Sequence, residues 1–190
     1  MSFYKGSAKR CLDISMSLLS LILLLPLILL MSLLILLFDF GPIIFKQVRV
    51  GQYGKPFVFY KFRSMPVNTG DIPSDQIKEI KITWIGKLIR RTNIDEIPQL
   101  FNILKGDMSI VGPRPSIKNQ VKLIELREQS GALECKPGLT GLAQIKSYDG
   151  MPTEDKAAFD SEYAAKITFM NDLKIVLRTF LYLLKPPPVY

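Results

Sequence analysis

The sequence contains no histidine and only two cysteines among its 190 residues. The absence of imidazole excludes Ser-His-Asp and Cys-His catalysis, and it excludes zinc or iron sites built on histidine. Cys11 and Cys135 are too few for a tetrahedral zinc site or a secreted-type disulfide framework, so we interpret both as reduced thiols. Acid–base chemistry therefore depends on Asp, Glu, Lys, Tyr or Cys, and the expected metal is a hard cation bound by oxygen, such as Mg²⁺.

Acidic residues are scarce relative to basic ones, because 17 Asp and Glu stand against 25 Lys and Arg, which gives a formal net charge of +8. Such an excess suits anionic partners, which include lipid headgroups, nucleic acids and phosphorylated small molecules. The length suffices for one domain with a real core, and the chain has neither an internal repeat nor a linker to a second domain.

Charge is missing altogether from residues 14–38. This run of 25 residues exceeds the roughly 20 apolar residues of a membrane-spanning helix, and it is too long for a signal peptide. Pro26 lies at its centre, and a break there leaves two arms of about 18 Å that enter and leave the membrane on one side. Basic residues flank the run on both sides, which favours this re-entrant hairpin over the alternative of a proline-kinked span.

The rest of the pattern predicts a small β-hairpin followed by helices. Residues 43–50 and 56–65 are rich in β-branched and aromatic residues around the turn GQYGK, and alternation puts Phe57, Phe59, Lys61 and Arg63 on one face. The predicted helices are 83–91, 98–106 with a stop at Gly106, 116–129, and 169–184, which is amphipathic and suits either a core or a membrane surface. The predicted loops are 67–76, GPRP (112–115) and KPGLTG (136–141).

The stretch RTNIDEIPQL (91–100) sets two carboxylates, Asp95 and Glu96, next to each other. One interpretation is structural, since Asn93 with Glu96 three residues later is close to a capping box that stabilises a helix by roughly 1 kcal/mol. The other is chemical, because a helix N-terminus binds anions and because carboxylates beside arginines stay ionised, as a nucleophile or metal ligand must. Side chains suited to phosphate surround the pair: Lys87, Arg90, Arg91, Asn102, Asp107 and Arg114.

The run LIRRTNIDEIPQLFNILKGDMSIVGPRP, preceded by YKFRSM and followed by KPGLTGLAQ, resembles the bacterial sugar transferase family, and more closely its small monotopic phosphoglycosyl transferases. The resemblance covers essentially the whole chain. It implies transfer of a sugar 1-phosphate from a UDP-sugar to undecaprenyl phosphate, with release of UMP, as the first membrane step of bacterial glycoconjugate assembly. The implied partners are these two substrates and membrane lipids, without nucleic acid.

The same resemblance implies an α+β fold that is mostly helical with a small β-hairpin. Residues 1–40 are expected to form a re-entrant membrane helix-break-helix with its break at Pro26. Residues 41–190 are expected to form a catalytic domain with interfacial helices on the cytoplasmic face of the bacterial inner membrane.

The resemblance also implies roles for single residues. Asp95 is expected to be the nucleophile that forms a phosphosugar-aspartate intermediate, with Glu96 positioning groups or taking a proton and Mg²⁺ beside Asp95 offsetting phosphate charge. The residues expected to contact phosphate are Lys61, Arg63, Arg90 and Arg114. Many relatives carry Asn-Gly-Arg after the LTGLAQ-like motif, whereas this chain has IKSYDGMP, so Lys146 is the candidate for that missing arginine.

A non-catalytic alternative is a membrane-anchored basic module that binds anionic lipid or nucleic acid. It accounts for the net charge and the apolar run, but it gives no role to the Asp-Glu pair or to the ordered loop motifs.

Overall fold

The computed structural model describes residues 4–66, 82–146 and 151–183, and for residues 182 and 183 the backbone alone. Within these ranges the chain is mostly helical, and its strands form two separate two-stranded sheets. The predicted class, mostly helical with a small β-hairpin, is confirmed to that extent. The loop predicted at 67–76 lies outside the described residues.

The uncharged run lies within one long helix, α1 (Lys9–Asp39), which follows a wide helical turn at Tyr4–Ala8. Among the described residues, the segment Tyr4–Asp39 is the one stretch of helix long and apolar enough to cross a membrane. The helix continues through Pro26, so the break that the sequence predicts there is not seen. Proline is compatible with helical φ and removes a single backbone hydrogen bond, a loss that helices in apolar surroundings tolerate.

The predicted β-hairpin is confirmed, with β1 (Ile44–Val50) paired antiparallel to β2 (Pro56–Phe62). The tight turn between them uses positive φ at Tyr53 and Gly54. Pairing across the strands places Lys61 opposite Phe45, and the Lys61 ammonium lies 5.9 Å from the ring centre of Phe59 on the same strand face. The hairpin thus presents a cation at the end of an aromatic stripe.

Two short helices follow, α2 (Trp84–Arg91) and α3 (Gln99–Lys105), close to their predicted positions. Thr83 begins α2, because its hydroxyl accepts a 3.1 Å hydrogen bond from the Gly86 amide. Gly106 ends α3 in the left-handed region at φ 96, as predicted.

A short parallel pair, β3 (Ser109–Val111) and β4 (Gly138–Thr140), was not predicted from the sequence, because residues 136–141 have the composition of a loop. The pair brings the GPRP and KPGLTG motifs together. A Cβ on Gly138 would lie 2.1 Å from the Gly112 nitrogen, so glycine is required for this backbone contact.

The C-terminal part is helical. Its elements are α4 (Val121–Gln129), α5 (Leu142–Lys146), α6 (Thr153–Ala165) and α7 (Phe169–Leu183). The helix predicted at 116–129 therefore begins five residues later than expected, since residues 116–120 lead from the GPRP loop into it.

Two hydrophobic clusters lie between α1 and the rest of the chain, and a third, of Val111, Leu142, Tyr163 and Ile175, lies away from it. Met31 and Ile35 of α1 pack against the buried side chains of Phe62, Ile85 and Ile89. A second cluster, against which Leu21 and Leu24 of α1 pack, consists of Phe59, Leu100, Ile103 and Met108. The hydrophobic contacts of α1 thus extend over much of its length, while most of its leucines remain exposed.

A buried carboxylate on α7, Asp172, ties the two ends of the chain together. It accepts hydrogen bonds from the hydroxyls of Tyr4 (2.8 Å) and Tyr163 (3.0 Å), and it forms an ion pair with Lys9. The first turns of the described chain are therefore fixed to its last helix.

Candidate active site

Asp95 and Glu96 lie on a 3₁₀ turn, Ile94–Glu96, between α2 and α3. Asn93 precedes the turn in the left-handed region at φ 54, and its carbonyl accepts a 3.1 Å hydrogen bond from the Glu96 amide. The side chain of Asn93 makes no capping hydrogen bond. The capping-box prediction is therefore wrong, because asparagine here serves a left-handed bend that most other residues disfavour.

One lysine bridges the two carboxylates. The Nζ atom of Lys61 donates hydrogen bonds to Oδ2 of Asp95 at 3.1 Å and to Oε1 of Glu96 at 3.2 Å. Asp95 is only 6% exposed, so its charge is largely removed from water. A shared ammonium between the buried Asp95 and the half-buried Glu96 offsets their mutual repulsion, and it places a cation where a phosphate is expected to arrive.

Arg114 reaches the same site from the GPRP loop. Its Nη2 atom donates a 2.7 Å hydrogen bond to Oε1 of Glu96, the oxygen that also accepts from Lys61. Burial raises the pKa of Glu96, but the charges and hydrogen bonds of Arg114 and Lys61 outweigh it and lower this pKa to about 2. Glu96 is therefore ionised at neutral pH, and it holds both cations at the turn.

Asn102 fixes the Asp95–Glu96 turn against the hairpin. This fully buried amide accepts from the Tyr60 amide at 3.1 Å and donates to the Val58 carbonyl at 2.7 Å, so α3 is joined to the strand that carries Lys61. Asp107 accepts from Lys105 and from Asn102. Asn102 and Asp107, which the sequence places near the acidic pair, thus have structural contacts in the described chain.

A buried ion pair outside the site supports Arg114. Arg127 of α4 pairs with Asp160 of α6 at 2.6 Å, and its Nη1 atom donates a 2.9 Å hydrogen bond to the carbonyl of Arg114. Sequence reasoning did not find these two residues. They are 33 positions apart on separate helices, and no local pattern marks either as buried.

Three other residues expected at the site make no hydrogen bond or ion pair with Asp95 or Glu96. Arg63 is buried and donates to the carbonyl of Asp39 at the end of α1, whereas Arg90 donates to the hydroxyl of Ser64. Lys146 is exposed at the end of α5. The phosphate contacts expected of these three residues stay predictions.

The site offers a metal two carboxylates and no more. Among the described residues no group of three or more His, Cys, Asp or Glu side chains is arranged to hold a metal ion. Two adjacent carboxylates nevertheless fit Mg²⁺, which in phosphate-transferring sites binds one or two carboxylates and completes its shell with water and substrate phosphates.

Comparisons with known proteins agree on one family. A family model described as bacterial sugar transferase matches residues 4–186. The uncharacterized sugar transferase EpsL of Bacillus subtilis (strain 168) is 43% identical over 139 residues, which is 73% of this chain and 68% of that protein.

Other relatives have names that state a reaction. The UDP-glucose:undecaprenyl-phosphate glucose-1-phosphate transferase of Caulobacter vibrioides is 38% identical over 192 residues, 96% of this chain and 72% of that protein. The undecaprenyl-phosphate galactose phosphotransferase of Salmonella typhimurium is 37% identical over 169 residues, 80% of this chain and 35% of that protein. The chain thus spans less than half the length of several curated relatives that it matches.

Proposed function

The chain belongs to the bacterial sugar transferase family, and from this premise we propose that it transfers a sugar 1-phosphate from a UDP-sugar to undecaprenyl phosphate. The names of the glucose and galactose phosphate transferases among its relatives support both substrates. The observation that carries the proposal is the pair of adjacent carboxylates, Asp95 and Glu96, with Lys61 and Arg114 bound to it.

In the proposed reaction Asp95 acts as the nucleophile. A carboxylate oxygen attacks the phosphorus that carries the sugar, the bond from that phosphorus to the bridging oxygen breaks, and UMP leaves with this oxygen. A phosphate oxygen of undecaprenyl phosphate then attacks the same phosphorus and displaces Asp95 as a carboxylate, which gives undecaprenyl diphosphate sugar. Covalent catalysis divides one difficult exchange between two anions into two displacements.

The neighbouring charges have separate roles in this scheme. Lys61 and Arg114 stabilise the negative charge of the transferring phosphoryl group, because both are already held at the turn. Glu96 acts as a positioning residue, since it accepts from both cations and stays ionised at neutral pH.

Mg²⁺ is the proposed cofactor, with Asp95 as its protein ligand and Glu96 next to it. When bound, this cation supplies charge neutralisation to the phosphates of the nucleotide sugar. The two-carboxylate site fits a metal that takes most of its remaining ligands from water and substrate.

The contacts of α1 support a re-entrant arrangement in the membrane. At its beginning, Arg10 donates to the carbonyls of Ile103 and Leu104. At its end, Asp39 accepts from Arg63 through its carbonyl and from Thr83 through its carboxylate. Because both ends contact the same domain, we propose that α1 enters and leaves the membrane on one face.

The exposed side of α7 supports attachment of this domain to the same membrane face. Its exposed apolar side chains are Phe169, Met170, Leu173, Leu177, Phe180 and Leu181. An amphipathic helix of this kind lies in the membrane interface with its apolar face toward the acyl chains. We place the domain on the cytoplasmic face of the inner membrane, where a soluble nucleotide sugar and a lipid phosphate both reach the turn.

The deciding experiment combines a panel of UDP-sugars with the purified full-length protein, Mg²⁺ and undecaprenyl phosphate, and it measures UMP. Wild type is expected to release UMP with at least one sugar, whereas Asp95→Asn is expected to release none while it melts close to the wild-type temperature. Asp155→Asn is the matched control, because Asp155 lies in the first turn of α6 and not on the Asp95–Glu96 turn.

A second readout tests the covalent step. With a UDP-sugar labelled in its β-phosphate and no lipid acceptor, wild type is expected to retain label that hydroxylamine removes, and Asp95→Asn is expected to retain none. Substantial turnover by Asp95→Asn would exclude Asp95 as the nucleophile. Failure of wild type to release UMP across the panel would favour the non-catalytic basic module instead.

A further inference from the structure

Arg10 is fixed at the end of α3 that lies away from the Asp95–Glu96 turn. Its guanidinium donates through Nη1 to the carbonyl of Ile103 and through Nη2 to the carbonyl of Leu104 at 2.9 Å. These carbonyls belong to the last turn of α3, where helix geometry leaves acceptors without a partner within the helix. Arg10 thus completes the C-terminus of α3, and the Asp95–Glu96 turn precedes its N-terminus.

A second cation, Lys136, approaches the same place. A Cβ on Gly106 would lie 3.4 Å from Nη2 of Arg10 and 3.7 Å from Nζ of Lys136, so both charged groups border one small space. Burial lowers the pKa of Lys136, and the charge of Arg10 lowers it further. Two like charges therefore stand side by side in partly buried surroundings.

No acid of the described chain pairs with Lys136. It makes no hydrogen bond or ion pair there, and the two nearby carboxylates are engaged elsewhere: Asp13 with the Ile110 amide and Asp107 with Lys105. Asp13 and Asp107 are near enough to offset part of the lowering of the pKa of Lys136 by burial, but neither bonds to it, so its ammonium can donate to a bound anion. Gly106, at φ 96 and without a side chain, lets both charged groups approach the backbone at this point.

The position on α1 indicates what kind of anion this is. Arg10 lies one turn before the uncharged run, and two apolar residues that follow it on the helix, Leu12 and Ile14, are 37% and 39% exposed. Exposed apolar side chains thus begin within about one turn of Arg10, which suits a ligand whose charged group is joined to acyl chains. Basic side chains at the edge of a membrane segment attract anionic lipids.

We propose that Arg10 and Lys136 form a binding site for the phosphodiester headgroup of an anionic membrane phospholipid, separate from the Asp95–Glu96 turn. The guanidinium and the ammonium contact the phosphate oxygens, and the acyl chains follow the exposed leucine and isoleucine of α1. This lipid is a structural ligand that anchors the first turn of α1, and the assignment does not depend on the proposed reaction.

The test uses the full-length protein in detergent at constant ionic strength, with short-chain phosphatidylglycerol, short-chain phosphatidylcholine or inorganic phosphate added. Melting temperature and lipid retained in native mass spectrometry are the two readouts. For wild type, phosphatidylglycerol is expected to raise the melting temperature saturably by several degrees, and phosphatidylcholine is not. This comparison needs no variant, so it stands even if a substitution impairs folding.

Variants then locate the site. Lys136→Gln is expected to bind phosphatidylglycerol at least tenfold more weakly, and Lys136→Arg is expected to bind it like wild type. Lys122→Gln is the matched control, because Lys122 is an exposed lysine on α4 paired with Glu154. Equal stabilisation by the two lipids, unchanged binding in Lys136→Gln, or the full effect from inorganic phosphate alone would each overturn the proposal.

Discussion

Lys61 shows how much of the site depends on one side chain. Strand β2 ends one residue after it, the Phe59 ring lies beside its ammonium, and both acids of the turn accept its hydrogen bonds. Glu96 also binds Arg114, whereas Lys61 is the one cation bound to Asp95 in the described chain.

Replacing Lys61 by methionine is therefore expected to leave two adjacent, largely buried carboxylates with one cation between them. We expect a loss of about 2 kcal/mol in the free energy of unfolding and at least a roughly 100-fold fall in turnover. Thermal melting and UMP release measure the two effects.

Lys46→Met is the control for this prediction, because Lys46 is an exposed lysine of the neighbouring strand and pairs across the hairpin with Tyr60. It is expected to leave both quantities unchanged. Wild-type turnover in Lys61→Met would remove Lys61 from the site.

At the scale of elements, the Asp95–Glu96 turn is separated from the helices on both sides of it. A left-handed residue, Asn93, ends the path from α2, and Pro98 precedes α3. Asp95 and Glu96 thus lie on a segment whose conformation is not set by α2 or α3. Their position depends on the bend at Asn93 and on the contact of Asn102 with β2.

The left-handed conformation of Asn93 and a side-chain cap by Asn93 predict different effects of substitution on stability. Asn93→Gly is expected to be close to neutral, because glycine adopts positive φ without steric cost. Asn93→Thr is expected to cost about 1–2 kcal/mol, or roughly 3–6 °C in melting temperature, because a β-branched residue is strained in the left-handed region. A side-chain cap would tolerate threonine, so a threonine variant as stable as wild type contradicts the left-handed bend.

The elements that the sequence predicts well are those with a local cause. The hairpin has alternating β-branched and aromatic residues around a tight turn, and α3 has a glycine stop. Strands β3 and β4 have three residues each and exist because two glycine-rich loops meet, so no local pattern identifies them. The same limit applies to the contact of Arg63 with the end of α1, because the two residues are far apart in the sequence; the phosphate contact expected of Arg63 stays a prediction.

At the scale of the whole molecule, the rest of the domain packs along one side of α1. A straight helix of 31 residues is about 46 Å long, which exceeds the roughly 30 Å of a bilayer core, yet its two ends and part of its middle contact the domain. These contacts support the proposal that both ends of α1 lie on one side of the membrane.

We therefore expect both ends of α1 to lie on the cytoplasmic side. In a Cys11→Ser, Cys135→Ser background, a single cysteine in place of Lys5 or of Lys55 is expected to react with an impermeant thiol reagent only after cells are opened. Both lysines are exposed, so access to the reagent is not limited by burial. Labelling of position 5 from outside, with position 55 protected, would exclude the arrangement.

The cluster around Asp172 has a consequence for the order of events during synthesis. Its partners Tyr4 and Lys9 leave the ribosome more than 160 residues before Asp172 does, which is on the order of 10–30 s at bacterial rates of translation. During that interval the apolar first helix has no finished domain to pack on, so the bilayer itself must receive it. A nascent chain that stops before α7 is expected to insert α1 into the bilayer but to lack the Asp172 contacts that fix Tyr4 and Lys9. Its first turn is then exposed, and we expect proteases to cleave it there.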